Sequence, residues 1–473
     1  MSTRILYVLT PSGKRNRILD RPDWGTDWYS PDERARYMIP ENRGFYSKRG
    51  WTETESKGPH PPDHVAVFAS EQLHMAVHWN RAPDVSVDVM SFPKFTALVN
   101  KGDGSALLKH ASDYDIIFGG CECGIDMVEA GHFASRELEA QFVHRLEKLR
   151  STIFVWPPPR QTMWYRQENK IVEQLDRLTT HVTRTLRPQT WVLTDPAQFT
   201  DHTVLKRKTS WELPARHFHD DQTCPKPAAI AEAVRHNCDL VREQRQDELV
   251  PGMLWLVQEV VVPLRKYGQW RVFFVGGQIV GIVGTTPVDD ATGVIDMSEC
   301  TAVFALHEIA AAMHKTADAH RVLVRIGGSQ SERASGMAQL EAFAQATYKG
   351  LIIEAEAMFN ARSSLHDFLR MDVSFLPNAD GFDYFVNGIA LDAPAACMFS
   401  AHTPVAERVG DELLAHLCAR LDEPAREPLL QPAREPVPDW KPAAEPATKS
   451  KRRPIHCAKC GREGHNTASH RRS

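Results

Sequence analysis

The sequence predicts a mixed α+β body, a proline-rich linker and a small metal-binding unit at the C-terminal end. Three observations indicate this organisation. Apolar runs of strand length alternate with segments of helical periodicity, prolines then recur at nearly every fourth position, and a cluster of Cys and His follows. The 473 residues exceed one ordinary domain. We expect an N-terminal α/β subdomain, a larger α+β domain, a disordered linker and a terminal unit, over residues 1–126, 127–422, 423–456 and 457–470.

The composition is that of a folded protein without a membrane segment. Hydrophobic residues make up 42% and charged residues 25% of the chain. No run approaches the ~20 apolar residues that a membrane helix needs. The apolar stretch Ile5–Leu9 is too short for a signal peptide and is flanked by a basic residue and a proline. We therefore expect a cytoplasmic or nuclear protein with no membrane partner, whose nine cysteines are mostly reduced thiols.

The first half of the body alternates strands and helices. Arg4–Thr10 and Asp115–Phe118 each contain a continuous apolar run, which is typical of buried strands. Apolar residues recur every three or four positions in Phe133–Leu149 and Gln167–Leu178, which predicts helices. Ser151–Trp156 is a third strand, and three prolines end it. Residues 12–62 are rich in Arg, Gly, Pro and Ser, and we expect irregular structure there.

The second half contains the strongest β signal. Leu254–Val262 predicts a long apolar strand. Trp270–Val275 and Gln278–Val283 are joined by Gly276-Gly277, a two-residue turn that indicates a hairpin. Further elements follow from periodicity and alternation: helices around 303–318 and 332–348, a strand over Asp383–Ala390, and an amphipathic helix over Val405–Leu421 that closes the body.

The linker is defined by its prolines, at positions 424, 428, 432, 436, 438, 442 and 446. Each proline removes an amide donor and clashes with the preceding turn, so a helix cannot persist. An extended spacer of the polyproline type is expected. A docking peptide for a protein partner is the alternative.

The C-terminal unit carries four residues of the zinc-ligand type. The spacing is Cys457-x2-Cys460-x4-His465-x4-His470, and thiolate and imidazole are the ligands of tetrahedral zinc. Gly461 and Gly464 allow the backbone to turn tightly around an ion. Metal binding would supply the folding free energy of so short a segment.

This pattern resembles the zinc knuckle of the CCHC type, with His470 in place of the fourth Cys. The resemblance implies Zn²⁺ binding and recognition of single-stranded nucleic acid, either RNA or DNA. Residues 448–473 carry a net charge of +7 and the preceding residues −11, so a polyanion would meet the tail first. Alternatives are a nuclear-localisation signal in Lys449–Arg453 and a protein contact by the knuckle.

Several short sequence segments of the body occur in an informative order. Basic residues precede or end strands, a Gln-Glu pair interrupts an apolar run, and an arginine opens the predicted hairpin. These segments are Lys170, Pro188–Thr190, Val204–Lys208, Trp255–Pro263, Gly268–Phe273, Arg370–Val373 and Tyr384–Ile389.

This order resembles the ATP-grasp superfamily over residues 127–400. That family holds ATP between two α+β subdomains that follow an N-terminal α/β domain. The resemblance implies that Lys170 and either Lys206 or Lys208 touch the phosphates of ATP. It implies an adenine-side strand from Gln258 and Glu259 to Val261. It further implies that Arg271 steadies the transferred phosphoryl group, and that Asp372 and Asn387 form the Mg²⁺ side.

Two departures from the family pattern concern activity. The family carries a Glu beside or two residues before the Asn of the last strand, whereas Phe385, Val386 and Gly388 surround Asn387 here. Asp383 would have to compensate. A glycine-rich phosphate-covering loop is also not evident over residues 209–226.

Two hypotheses follow. In the first, this is a zinc-dependent nucleic-acid-binding protein with an ATP-grasp-like nucleotide-binding body that is either active or degenerate. In the alternative, it is an ATP-dependent carboxylate–amine ligase that forms an acyl-phosphate intermediate, and the knuckle is a localiser.

Overall fold

The structure is a computed structural model. The chain divides after Pro424, and every described residue lies before that point. The whole of the predicted linker and of the zinc knuckle lies outside the described residues. The structure describes residues 2–9, 30–37, 67–101, 109–121, 133–165, 167–198, 200, 203–206, 231, 233–235, 237–238, 255–289, 294–316, 320–391 and 404–422.

The N-terminal part is a parallel sheet with helices between its strands. Its strand order is β2-β1-β3-β4, and every pairing is parallel. Parallel neighbours need a crossover connection, which the helices provide. The elements in chain order are β1 (Thr3–Leu9), α1 (Pro31–Tyr37), α2 (Val67–Asn80), β2 (Val85–Ser91), α3 (Phe92–Asn100), β3 (Ile116–Gly119), α4 (Arg136–Leu149) and β4 (Phe154–Trp156).

Helix α1 lies in the segment for which irregular structure was predicted, so that prediction is wrong at Pro31–Tyr37. A reciprocal cap explains its start. The amide of Glu33 donates to Ser30 Oγ at 3.2 Å, and the amide of Ser30 donates to Glu33 Oε2 at 2.8 Å.

A small antiparallel sheet follows two further helices. They are α5 (Pro159–Tyr165) and α6 (Glu168–Leu178). The sheet has β7 (Leu256–Glu259) between its other two strands, which are β5 (Thr190–Val192) and β6 (Thr203–Lys206). The long strand predicted over 254–262 ends earlier than expected, because the chain turns into α7 (Val262–Tyr267). Pro263 occupies the first turn of that helix, where a missing amide donor costs little.

The largest sheet has five antiparallel strands in the order β10-β9-β8-β11-β12. Gly276 and Gly277 have φ values of 57° and 80°, which confirms the predicted glycine turn between β8 and β9. The remaining elements are β8 (Gln269–Val275), β9 (Gln278–Asp289), β10 (Val294–Glu299), α8 (Leu306–Lys315), α9 (His320–Leu323), α10 (Gln330–Phe359), β11 (Phe368–Asn378), β12 (Gly381–Ala390) and α11 (Pro404–Leu421).

The two faces of this sheet differ. One face is apolar along its length, and Trp270, Val272 and Phe274 share a core there with residues of α6 and α10. The other face is divided. Phe273 and Val275 pack in a second core with α11 and with the N-terminal sheet. Arg271, two residues earlier on the same strand, begins a polar half.

The α+β class predicted from the sequence is thus confirmed. None of the helices in the described ranges is long and apolar enough to cross a bilayer.

Candidate functional site

The polar half of the large sheet brings together three of the predicted site residues. Arg271 on β8 pairs in register with Asp372 on β11, and Asp372 pairs with Gly388 on β12. Residues opposite one another on neighbouring strands project from the same face. Arg271, Asp372 and, by its side-chain contact, Asn387 therefore lie together, although the first and the last are 116 positions apart in the sequence.

Asp372 is the centre of this group, which we call the arginine cluster: Arg271, Arg370, Asp372, Asn387 and Gln269. Arg370 Nε donates to Asp372 Oδ1 at 3.0 Å, and its Nη2 donates to Oδ2 at 3.1 Å. Arg271 Nε is 4.0 Å from Oδ1. Asp372 and Arg271 are 9% and 8% exposed, so this is a largely enclosed group of charges. The five residues comprise two guanidinium groups and one carboxylate.

Asn387 occupies a β-bulge. The register of β11 and β12 shifts between Asp372 and Val373, so that Asn387 is the extra residue between Val386 and Gly388. Its Nδ2 donates to Gln269 Oε1 at 3.0 Å. A bulge redirects side chains locally, and here it turns the Asn387 amide toward β8.

Gly268 sets the start of β8. Its φ is 87°, and a Cβ at this position would lie 1.8 Å from the carbonyl oxygen of Thr285. Only glycine accepts both the conformation and the close approach. The Gly268 carbonyl also accepts a 2.9 Å hydrogen bond from Ser374 Oγ. The strand that carries Gln269 and Arg271 is thereby fixed against β9 and β11.

The outer edge of β12 is held by the segment before β5. The Arg187 side chain is enclosed, donates from Nη1 to the carbonyl of Val386 and donates from Nε to Asp176 Oδ1 at 2.8 Å. The amide of Leu186 donates to Asp383 Oδ2 at 3.1 Å. Asp383, considered from the sequence as a substitute metal carboxylate, accepts a backbone hydrogen bond at this edge.

Gln258 and Glu259 lie in the small sheet and not in the arginine cluster. Gln258 is buried, and its Nε2 donates to Thr190 Oγ1 at 3.0 Å. Glu259 Oε2 accepts from the amide of Gln189 at 3.1 Å. Both side chains thus hold the Pro188–Thr190 segment beside β7. The adenine-side role of Gln258 and Glu259 stays a prediction.

The predicted phosphate lysines are outside the cluster. Lys170 is on α6, which packs on the opposite face of the large sheet from Arg271, and its Nζ is 3.4 Å from Glu173 Oε2. Lys206 ends β6, but its side chain is outside the described residues. Lys208 lies outside them entirely. Contact of these lysines with phosphate stays a prediction.

The zinc ligands Cys457, Cys460, His465 and His470 are likewise outside the described residues. Within the described ranges, no group of three or more His, Cys, Asp and Glu side chains could hold a metal ion. The cysteines in those ranges, Cys121, Cys238, Cys300 and Cys418, are free thiols.

Arg370 is the site residue that sequence reasoning did not assign. It was read only as part of the phrase Arg370–Val373, because an isolated arginine in a strand is usually solvated. The available signal was its spacing. Two residues apart on one strand, Arg370 and Asp372 must share a face, so an ion pair between them was predictable once β11 was recognised.

Comparison with known proteins gives only distant likenesses. No protein-family model matches the sequence, and no curated protein matches it. Solved structures that resemble it include a D-alanine–D-alanine ligase from Bacillus anthracis complexed with ATP, at 8% identity and a TM-score of 0.42 over 89% of this chain and 99% of that one. A D-cycloserine synthetase is 10% identical, with a TM-score of 0.40 over 88% and 99%.

A third similar structure is an ATP-grasp ligase complexed with a minimal precursor, at 14% identity and a TM-score of 0.36 over 73% of this chain and 95% of that one. Structural similarity this limited assigns no activity, ligand or residue role to this chain. The functional argument therefore depends on the residues of the arginine cluster.

Proposed function

We propose that the body binds the polyphosphate group of a nucleotide, ATP in the first instance, at the arginine cluster. The observation that carries this proposal is the proximity of Arg271, Asp372 and Asn387. These residues were assigned to one nucleotide site from separate phrases of the sequence, and they meet on three adjacent strands.

The electrostatics of the cluster support an anionic ligand. Guanidinium groups bind phosphate oxygens through geometrically matched, charge-assisted hydrogen bonds. Arg370 uses Nε and Nη2 on Asp372, while its Nη1 is buried and has no hydrogen-bond partner among the described residues. A buried donor without an acceptor costs free energy, and a phosphate oxygen would remove that cost.

The test is calorimetric titration of ATP into the full-length chain and into Arg271→Gln. Hydrogen bonds to charged groups contribute ~1.5–3 kcal/mol, so we expect the substitution to weaken ATP binding by about tenfold or more. The matched control is Arg325→Gln. Arg325 is similarly enclosed but pairs with Glu308 and Glu332. Equal affinity for ATP in wild type and Arg271→Gln, with both folded, would refute the proposal.

The ligase alternative adds a catalysed reaction to this binding proposal. An active carboxylate–amine ligase would release ADP and phosphate only when an acid and an amine are both supplied. We propose binding without assigning turnover, because the cluster offers a phosphate site and the sequence lacks the family's Glu near Asn387. Substrate-dependent ADP release from a panel of acids and amines would establish the ligase.

A second function, single-stranded nucleic-acid binding, is favoured by the complete Cys457–His470 ligand spacing beside eight Lys and Arg residues in the tail. If about four phosphates are neutralised, the logarithm of affinity should fall with the logarithm of salt with a slope of about −3. The probe is a fluorescent oligonucleotide titrated with wild type and Cys457→Ser. Binding that is unchanged in Cys457→Ser would exclude the knuckle.

A further inference from the structure

We propose that Arg187 positions Asn387 for nucleotide binding and couples the small sheet to the arginine cluster. This inference rests on the proposed function, because it concerns the regulation of the same site. It starts from one enclosed side chain that connects several elements. The Arg187 side chain is 3% exposed and contacts both α6 and the outer edge of β12, while its backbone leads into β5.

The contact of Arg187 with β12 holds the peptide unit at which the bulge begins. Arg187 Nη1 donates to the carbonyl oxygen of Val386. That oxygen and the amide nitrogen of Asn387 belong to one planar peptide unit. A donor that holds the oxygen therefore restricts the orientation of the whole unit. With it, the contact restricts the direction in which the Asn387 side chain leaves the strand.

The bulge needs support of this kind. Asn387 is the extra residue where the register of β11 and β12 shifts, and a bulge locally disrupts the hydrogen-bond ladder. β12 is also an edge strand of the five-stranded sheet, so its outer side is supported by other segments. Arg187 and the Leu186 amide, which donates to Asp383 Oδ2 at 3.1 Å, supply that support.

Arg187 is itself held in place. Its Nε donates to Asp176 Oδ1 of α6 at 2.8 Å. The guanidinium group is planar, so hydrogen bonds from Nε and Nη1 to two different elements define its orientation. Arg187 also precedes Pro188, which restricts the Arg187 backbone to the extended region. Few conformations of Arg187 meet these conditions, so its Nη1 has a defined position at β12.

The small sheet is attached directly beyond Arg187. The amide of Gln189 donates to Glu259 Oε2 at 3.1 Å, and the carbonyl of Gln189 accepts from the Glu259 amide at 3.0 Å. Pro188 alone lies between Arg187 and Gln189, and its ring fixes one of its two soft backbone torsions. A displacement of the small sheet would therefore move Arg187 and the bulge. Because coupling between sites is reciprocal, a ligand held by Asn387 should restrict the small sheet in turn.

Arg187 acts here as a positioning residue. Its partners lie on the outer edge of β12 and on α6, and α6 packs on the opposite face of the large sheet from Arg271. Arg271 is on β8, which β11 separates from β12. An effect of Arg187 on ATP must then pass through Asn387. This requirement makes the inference testable.

The experiment is a double-mutant cycle on ATP affinity, measured by calorimetry with full-length wild type, Arg187→Met, Asn387→Ala and the double variant. We expect each single substitution to weaken ATP binding by about three- to tenfold. The double variant should bind ATP no more weakly than Asn387→Ala, because Arg187 acts through that residue. A contribution of Arg187 that is independent of Asn387 would multiply the two losses, and that result would overturn the inference.

Failure of this inference is distinguishable from failure of the proposed function. Equal ATP affinity in wild type and in a folded Arg187→Met would leave the nucleotide site standing and remove the role of Arg187. Wild-type affinity in Asn387→Ala would do the same, because Arg187 would have no residue to act through. Absence of ATP binding in the wild type would overturn both.

Loss of a buried arginine also lowers stability, so a matched control is required. Arg325→Met removes an arginine that is 9% exposed and paired with Glu308, and it should keep the ATP affinity of the wild type. If Arg187→Met does not fold, Asp176→Ala takes its place, because it removes one anchor of Arg187 from a half-exposed position. We expect Asp176→Ala to weaken ATP binding by about two- to threefold. Equal affinity in Asp176→Ala and wild type would overturn the inference.

Hydrogen exchange tests the coupling to the small sheet. In wild type, saturating ATP should slow exchange about threefold or more in the peptides that contain Gln189 and Glu259. In Arg187→Met at the same saturation, ATP should leave exchange in these peptides unchanged. Equal slowing in both proteins would mean that ATP restricts the small sheet by another route, and would overturn the coupling.

Discussion

Two aspartates near the start of β11 are each surrounded by arginines, yet their surroundings differ. Asp367 is completely buried, and it is contacted by Arg420 Nη1 at 2.6 Å, His416 Nε2 at 3.1 Å and Arg362 Nη2 at 3.5 Å. Asp372 has Arg370 and Arg271 as partners. Aspartate and arginine therefore form two separate clusters, one on β11 and one just before this strand.

The difference lies in where the partners come from. Arg420 and His416 belong to α11, and the Arg420 guanidinium also lies 4.9 Å from the ring centroid of Phe154 on β4. The Asp367 cluster thus joins three parts of the fold. The Asp372 partners lie on the same strand and the next one, so these ion pairs stay within the large sheet. A charge group that links distant elements serves stability, whereas one within a single sheet can serve a ligand.

The largest effect should come from Asp367→Asn. The substitution leaves up to three cationic groups without their carboxylate in a buried place, and breaking such a pair typically costs about 3–5 kcal/mol. Urea denaturation of the full chain measures the change in the free energy of unfolding. Asp422→Asn, at an exposed position after α11, is the control and should change stability by less than ~0.5 kcal/mol. A loss below ~1 kcal/mol for Asp367→Asn would mean that the Asp367 cluster stabilises the fold no more than the Asp372 cluster does. That result would contradict the comparison.

Asp372→Asn should have a smaller effect on stability and a distinct effect on ligand binding. We expect a loss of about 1–2 kcal/mol, because Arg370 loses its fork but keeps other surroundings. Neutralising the carboxylate raises the net charge of the arginine cluster, so free ATP should bind about three- to tenfold more tightly in EDTA. In excess Mg²⁺, a metal-ligating aspartate would give the opposite change. Weaker ATP binding by Asp372→Asn in Mg²⁺ would therefore favour the metal role predicted from the sequence.

The smallest effect concerns Tyr348 near Asp367. Burial, and then the negative charge of Asp367, raise the pKa of Tyr348 to about 12. A phenol whose pKa is raised on folding contributes stability below its unfolded value of 10.0, and that stability is lost as pH rises toward about 12. Tyr348→Phe should reduce the fall in the free energy of unfolding over this range.

Ultraviolet titration of the phenolate provides the check on Tyr348. In Asp367→Asn its apparent pKa should move down toward the ordinary value, because the negative charge that raises it most after burial is removed. An unchanged titration in that variant would mean that Asp367 does not contribute to the pKa of Tyr348.

Sequence reasoning succeeded where one local pattern decides the structure. Turn chemistry gave the Gly276-Gly277 turn, and periodicity gave the helix at Glu168–Leu178. It failed where tertiary packing decides. Leu138 belongs to the apolar periodicity of Phe133–Leu149 but is 40% exposed on α4, while Val143 is buried. Periodicity gives the helix, but the neighbouring elements select which side chains are covered.

The proximity of three predicted residues followed from the sequence, whereas their contacts did not, and their roles stay predictions. Arg271, Asp372 and Asn387 could be assigned because their order along the chain is informative. The fork between Arg370 and Asp372 could not, since β11 was recognised only as a short phrase. The bulge at Asn387 could not be predicted from the sequence either, because it depends on the register between two strands.

Helix α11 has a consequence for the order in which this protein can fold. It packs against the N-terminal sheet and the large sheet in one core, and Trp79 Nε1 donates to the carbonyl of Gly410 at 2.9 Å. Contacts between residues this far apart in the chain form late. A ribosome must therefore synthesise the chain through Leu421 before the core around β1 can close. Until then the apolar faces that α11 covers on the two sheets stay exposed.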